Sequence, residues 1–219
     1  MIQKKDFIEI EYTAKTKDDD IIFDTTSKEV AEKEQILSEN ARYGPVVICV
    51  GERHVLPGLD DHLLGKEPGK SYTIGLTAEE GFGKKNAKLV QLVPTNKFRE
   101  NKINPVQGLQ INMDGMTGIV KTVSGGRTLV DFNHPLSGKA LEYEIQIIRK
   151  VEDNKEKLKG ALQMMGILSD PTIESGKATI HFDMPAEAKD LIAKRIQEMI
   201  PALSSVEFVS EKEEASPKK

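Results

Sequence analysis

The sequence predicts an α+β fold in three parts: a sheet laid over one short helix, a small β unit inserted into it, and a C-terminal α+β unit. Three observations carry this. Residues 46–76 read as strand, short helix, strand, with Gly or Pro at each junction. Residues 104–132 alternate Gly-containing turns with short apolar runs. Beyond residue 153, two amphipathic helical patterns flank an alternating strand.

In chain order, Phe7, Ile8, Ile10 and Tyr12 open a strand that ends at the charged turn Asp18-Asp19-Asp20. Ile21, Ile22 and Phe23 start its return, so residues 17–20 form a hairpin loop. Asp24 follows, Thr25-Thr26-Ser27 offers a helix cap, and the charged residues 28–40 predict a surface helix on a loop interrupting the next strand. The apolar run Val46–Val50 is that strand, ended by Gly51. Leu59, Leu63 and Leu64 have helical spacing, Asp60 and Asp61 lie in the first turn, and Gly65 stands where a helix ends. After Pro68-Gly69, Tyr72, Ile74 and Leu76 alternate as a strand. The arrangement leaves an apolar hollow over the short helix, without an acid–base pair, metal cluster or phosphate loop.

Lys84, Lys85 and Asn86 then form a polar link, and Leu89, Val90, Leu92 and Val93 a short strand stopped by Pro94. The runs LQINM, GIVKTV and TLVDF lie between turns at Asp114-Gly115 and Ser124-Gly125-Gly126. Asn133-His134-Pro135 closes this unit, and residues 140–151 return as a long alternating strand. Leu158, Ala161, Leu162 and Met165 mark a helical face stopped at Ser169-Asp170-Pro171. Ala178, Ile180 and Phe182 alternate as a strand. Pro185 opens a helix with Ala188, Leu191, Ile192, Ile196 and Met199 on its apolar face. Residues 203–209 read as a last strand and EKEEASPKK as a solvated tail.

Composition bounds the function classes. The chain has 219 residues, 38% hydrophobic and 30% charged, with a net charge of −4 and both signs interspersed. That balance excludes disorder and leaves no basic footprint for nucleic acid. No apolar run approaches the roughly 20 residues of a membrane span. The opening MIQKKDFIEIEYTAK lacks a signal-peptide apolar core, and the single cysteine, Cys49, allows no internal disulfide. A cytoplasmic location is the expectation. Cys49 itself, within an apolar strand, reads as a small buried hydrophobe. The four histidines lack metal spacing, and no cofactor or metal is expected.

The segment GERHVLPGLDDHLLGKEPGKSYTIGLTAEEGFG resembles the central segment of the FKBP-type peptidyl-prolyl isomerases. The Val-Leu-Pro-Gly-Leu helix entry, the following Gly-Lys-x-x-Gly and the Gly-Phe-Gly ending carry the likeness. DFNHPLSGKALEYEI, residues 131–145, resembles the SlyD-like branch, in which a second small domain is inserted. The likeness covers roughly residues 1–152, and the remainder resembles the C-terminal extension of the long archaeal type. It implies an FKBP-type antiparallel sheet wrapped on a short helix, in residues 1–85 and 135–152. Residues 86–134 would be an inserted chaperone domain and 153–219 a C-terminal α+β extension.

Read alone, Tyr12, Phe23 and Tyr143 are core aromatics of strands, and Asp24 is a cap or turn residue. The resemblance places them in an isomerase pocket. It adds Val46 and Ile48 from the next strand, Val55, Leu56 and Leu59 at the entry and floor of the helix, and Phe82 of Gly-Phe-Gly. It implies that the Leu56 backbone N–H bonds a substrate carbonyl and that Asp24 pairs with the Tyr12 hydroxyl. Two positions depart from the family pattern: Leu59 stands where Trp is common, and Phe82 where Tyr is common. In the insert, Leu89, Leu92, Val93, Phe98, Ile103, Met113, Met116 and Ile119 form either a small core or an adaptable apolar groove.

The implied activity is cis–trans isomerisation of X-Pro bonds, with folding-chaperone function. The alternatives are a holdase with weak isomerase activity and a scaffold recruiting a fixed partner. Expected partners are unfolded or nascent proline-containing polypeptides, with no nucleic acid and no membrane. The C-terminal unit has little core of its own, which predicts a homodimer formed through residues 153–219.

Overall fold

In the computed structural model, which describes residues 1–210, β1 (Phe7–Thr16) is the strand on which the first sheet is built. One edge of β1 pairs with two short strands in succession. Its end pairs with β2 (Ile22–Thr25) and its beginning with β3 (Val46–Cys49), both antiparallel. Between them lies α1 (Lys28–Lys33), capped by the Ser27 hydroxyl. The expected helix over 28–40 stops here for a local reason. Gln35 takes a left-handed φ of 57°, and the Ile36 N–H bonds back to the Ala31 carbonyl at 3.0 Å. Ile36 is thereby turned inward instead of continuing a surface helix.

The short helix α2 (Pro57–Leu63) buries Leu59 and Leu63, at 1% and 0% exposure. Proline at its first position suits the fixed φ, and Asp60 lies in its first turn. Next comes β4 (Lys70–Leu76), an edge strand of the same sheet.

The chain then forms a separate compact unit over Thr77–Ala140. A single 3₁₀ turn at Ala87–Leu89 leads into β5 (Val90–Pro94) and α3 (Thr95–Glu100). The strands β6 (Gln110–Met113), β7 (Met116–Ser124) and β8 (Arg127–Asp131) follow, giving a four-stranded sheet in the order β5-β8-β7-β6. Asp114-Gly115 and Gly125-Gly126 make the two tight hairpins, all four residues at positive φ, which matches the twist of paired strands. The core consists of Val93, Phe98, Ile111, Val120, Val130 and Phe132. Asn133 joins the two ends of the insert: its Oδ1 accepts from the Asn86 N–H at 2.8 Å, and its Nδ2 donates to the Asn86 carbonyl at 3.1 Å.

The other unit comprises Met1–Leu76 together with the chain from Leu141 onward. Here β9 (Leu141–Lys150) inserts between β1 and β4, giving the order β2-β1-β9-β4 with β3 beside β1. Register sets one face of the sheet. Tyr12 lies opposite Ile145 and Ala14 opposite Tyr143 on one side, and Tyr72 and Ile74 oppose the same two residues on the other. Leu141, Tyr143, Ile145 and Ile147 are all buried, at period 2.

The opposite face, near β3, is covered by the C-terminal region. That region folds as α4 (Asn154–Met164), the hairpin β10 (Thr172–Glu174) and β11 (Lys177–His181), α5 (Ala186–Met199), and β12 (Ser205–Val209), parallel to β11. Phe7, Cys49 and Val151 of the first sheet share one core with Leu158, Leu162, Ile180, Ile196 and Met199. Arg149 fastens this junction, with its Nε 2.7 Å from Glu9 on β1 and a second nitrogen 2.9 Å from Glu156 on α4. Leu191, expected on the apolar face of α5, is instead 71% exposed, because the buried side of that helix is centred on Ile196 and Met199. The EKEEASPKK tail lies outside the described residues.

Gly160 marks the closest approach of α4 to β3. A Cβ there would stand 2.6 Å from Val47 Cβ and 3.0 Å from the Val47 carbonyl oxygen. Gly160→Ala should therefore destabilise the full chain by about 1–3 kcal/mol through overpacking. It would do so despite a helix-propensity gain near 1 kcal/mol. Denaturant unfolding measures it, and equal or greater stability of the variant would contradict this docking of α4.

Candidate functional site

A cavity of about 220 Å³ opens beside the first hairpin, lined by Tyr12, Phe23, Asp24 and Val46. The register explains the meeting. Asp24 pairs with Ala14 across β1 and β2, and Val46 pairs with Ile10 across β1 and β3. The Tyr12 hydroxyl donates to Asp24 Oδ2 at 2.9 Å. Tyr143, 4% exposed, stands behind them, its ring centroid 5.8 Å from that of Tyr12 and 6.2 Å from that of Phe23, edge-on to the latter. Tyr12 and Phe23, backed by Tyr143, thus form one wall, with the Tyr12 hydroxyl fixed on Asp24. Burial, and then the Asp24 carboxylate, push the pKa values of both the Tyr12 and Tyr143 hydroxyls well above the usual tyrosine range. Both stay protonated at neutral pH.

The cavity also takes residues that sequence reasoning missed. Ala31 and Ile36, with Arg42 and Tyr43, line it from the segment between β2 and β3. The Tyr43 hydroxyl accepts the Ser38 N–H at 3.0 Å, which closes this segment on itself. The apolar pair Ile36-Leu37 in a charged stretch was the available signal, together with Tyr43 before Gly44-Pro45.

Val55 and Leu56 lie half-buried on the loop that enters α2. Ile48 and Leu59 lie deeper, fully buried, as support within the core. The loop is held by a buried carboxylate. Asp60, 3% exposed, accepts the Gly51 N–H at 2.9 Å and the Arg53 N–H at 3.0 Å. Both donors sit at positive φ, Gly51 at 87° and Arg53 at 59°. His54 Nδ1 accepts the Cys49 N–H at 3.1 Å, and Arg195 of α5 pairs with Glu52 at 2.6 Å. Burial pushes the Cys49 thiol up to about 12, so it is a packing group and no nucleophile.

Phe82 belongs to the second unit, where its ring stacks on His134 at 4.4 Å between centroids. The insert residues divide by exposure. Val93 and Phe98 are closed into the core, at 6% and 2%, and present no surface; a four-stranded unit this small needs them to fill its interior. Leu89 and Met113 pack at the edge of that core. Leu92 and Met116 face solvent, at 61% and 42%.

The His54 contact makes a pH prediction. Burial, before any charge effect, lowers the pKa of His54 below its ordinary value of 6.5. A depressed folded pKa means that stability is whole above about pH 6.5 and is lost as pH falls toward the folded value. His54→Asn, which keeps an acceptor but does not titrate, should flatten stability between pH 7 and 5. Denaturant midpoints across that range decide it, and an unchanged slope in the variant would refute the assignment.

Comparisons with known proteins identify the family. A family model described as the FKBP26 IF domain matches residues 91–136. A short-type peptidyl-prolyl cis-trans isomerase of Methanocaldococcus jannaschii is 28% identical over 147 residues, 67% of this chain and 92% of that protein. The SlyD FKBP-type isomerase of Aeromonas hydrophila is 27% identical over 151 residues, 64% of this chain and 60% of that one. A probable FKBP-type 16 kDa peptidyl-prolyl cis-trans isomerase of Pseudomonas fluorescens is 31% identical over 109 residues, 48% of this chain and 71% of that protein. No helix among the described residues is long and apolar enough to cross a membrane. With that degree of identity over most of a relative's length, the chain belongs to the FKBP-type peptidyl-prolyl cis-trans isomerases.

Proposed function

We propose that this chain accelerates X-Pro isomerisation in unfolded or partly folded polypeptides, in the cytoplasm, at the cavity between β1, β2 and β3. The observation that carries the reading is the Tyr12–Asp24 hydrogen bond inside the ring of Tyr12, Phe23 and Tyr143. The uncatalysed barrier is about 18–20 kcal/mol because the amide has partial double-bond character. No covalent bond changes, so no nucleophile is needed. The planar amide is more polar than the twisted one, so an apolar, water-poor wall disfavours the planar form relative to the transition state. The Tyr12–Asp24 hydrogen bond fixes the orientation of the Tyr12 ring in that wall. The Leu56 backbone N–H, at the mouth of α2, is the proposed donor to a substrate carbonyl.

The three functional parts in this reading are 1–85 with 135–152 for catalysis, 86–134 for client capture, and 153–219 as the extension. Exposed Leu92, Val106, Met116 and Val123 support capture by the insert. Because the two units are one chain, a client held by one is tethered to the other, and tethering gains roughly 10²–10⁴ in apparent affinity. Proline-containing unfolded chains are the proposed partners. A homodimer through 153–219 rests on exposed Leu191, since the other apolar groups of α5 are covered by the chain itself. Light scattering on the full chain tests it, and a monomer at micromolar concentration would refute it.

A protease-free tetrapeptide assay tests the pocket. Asp24→Leu and Tyr12→Ala should each lower kcat/KM about tenfold or more with the fold intact by circular dichroism. Full activity in both would remove the site assignment. Replacing 86–134 with a short Gly-containing turn should leave tetrapeptide turnover nearly unchanged and reduce catalysis of proline-limited refolding much further. Equal losses in the two assays would instead make the insert structural support for the pocket. A holdase reading predicts aggregation suppression without tetrapeptide turnover.

A further inference from the structure

A second concavity, of about 570 Å³, lies where the chain entering β3 meets the end of α4. It is lined by Pro45 and Val46 from the chain entering β3 and by Met164 and Leu168 from the end of α4, with Asn40, Arg42, Tyr43 and Gln163 as its polar lining. Arg42, Tyr43 and Val46 also line the prolyl cavity, so the two hollows share a wall. The end of α4 creates the far side. Gly166 takes a φ of 74° and the Ile167 N–H bonds the Leu162 carbonyl at 2.8 Å, closing the helix. This turns Ile167 inward, at 4% exposure, and Leu168 outward, at 59%. Asp170, paired with Lys155 and Lys159 at 3.3 and 3.4 Å, ties the following segment back onto the same helix.

We propose that this groove is an extended-substrate subsite, holding apolar side chains of the client polypeptide a few residues away from the isomerising proline. The inference rests on the isomerase reading and adds a role for the C-terminal region in it. Continuity through Tyr43 and Val46 selects the occupant: a chain leaving the prolyl cavity along this wall enters the groove without crossing a charged barrier other than Arg42. The two hollows share Arg42, Tyr43 and Val46, and an extended chain advances about 3.3–3.6 Å per residue along that common wall. The volume lies within the range of small-ligand sites, and Met164 gives a wall that adapts to different side chains.

The test uses the full chain, a proline tetrapeptide, and two longer peptides carrying the same core with Leu-Phe-Leu added on one side or the other. Isomerisation is followed by exchange NMR. In the unmodified chain, one of the two extensions should raise kcat/KM about tenfold over the tetrapeptide, mainly through KM. Leu168→Asp, at an exposed position, should abolish most of that gain, and Leu168→Met should keep it. An equal gain in parent and Leu168→Asp would overturn the proposal and send the extension to the insert or elsewhere. So would no gain from either extension. A dimer in light scattering that Leu168→Asp disperses would give the groove to a second copy and also overturn it. Absence of turnover on the tetrapeptide itself would instead defeat the isomerase reading on which the subsite depends.

Discussion

Strand β3 is four residues long and packs on both faces, half-buried at Val46 and Val47 and buried at Ile48 and Cys49, and much of the first unit depends on that double contact. Val46 looks toward the cavity beside the first hairpin, and Ile48 toward the core over α2. Val47 and Cys49, pointing the other way, enter the core shared with α4 and α5. A strand with one wet face would alternate apolar and polar residues. This one reads Val-Val-Ile-Cys without a break, because each face has its own partner. The cavity wall at Val46 and helix α4, more than a hundred residues later, are therefore coupled through a single strand's backbone.

The candidate site follows from the same economy of polar groups. Its chemistry asks for exclusion of water and for a fixed shape, and the strongest polar groups nearby are spent on backbone. Asp60 holds two amide donors of the loop before α2, and His54 holds a third. A buried carboxylate without those donors would be costly, and the positive-φ turns at Gly51 and Arg53 without the carboxylate would leave their amides unsatisfied. Each justifies the other. The pair Glu52–Arg195 extends this support to α5, so residues far beyond the expected isomerase segment help to shape the loop that carries Val55 and Leu56.

The C-terminal region, small by itself, solves its stability problem within the chain. Its helices complete a core with Phe7, Cys49 and Val151, as a 60-residue piece with few large side chains must do with something. The insert solves a similar problem differently, by closing a four-stranded sheet over six buried side chains and by pinning its two ends through Asn86 and Asn133.

The sequence by itself determined what depends on local periodicity and turn chemistry. The α+β class, the hairpin at 17–20, the short helix opening at Pro57 and the inserted β unit were all legible. The pairing of Tyr12 with Asp24 followed only from the family resemblance, because a register shift between Ala14 and Lys15 sets Ala14, and not the residue a simple hairpin count gives, opposite Asp24. Tertiary structure decided which apolar residues face a partner. Val93 and Phe98, open on sequence between a small core and an apolar groove, close into the core, while Leu191, expected on the apolar face of α5, faces solvent. Ile36 joined the cavity because one left-handed residue, Gln35, ended a helix early, and Tyr43 because its hydroxyl closes the same segment on the Ser38 amide. A side chain's periodicity says that one side of an element is apolar, and only the folded chain says what covers that side.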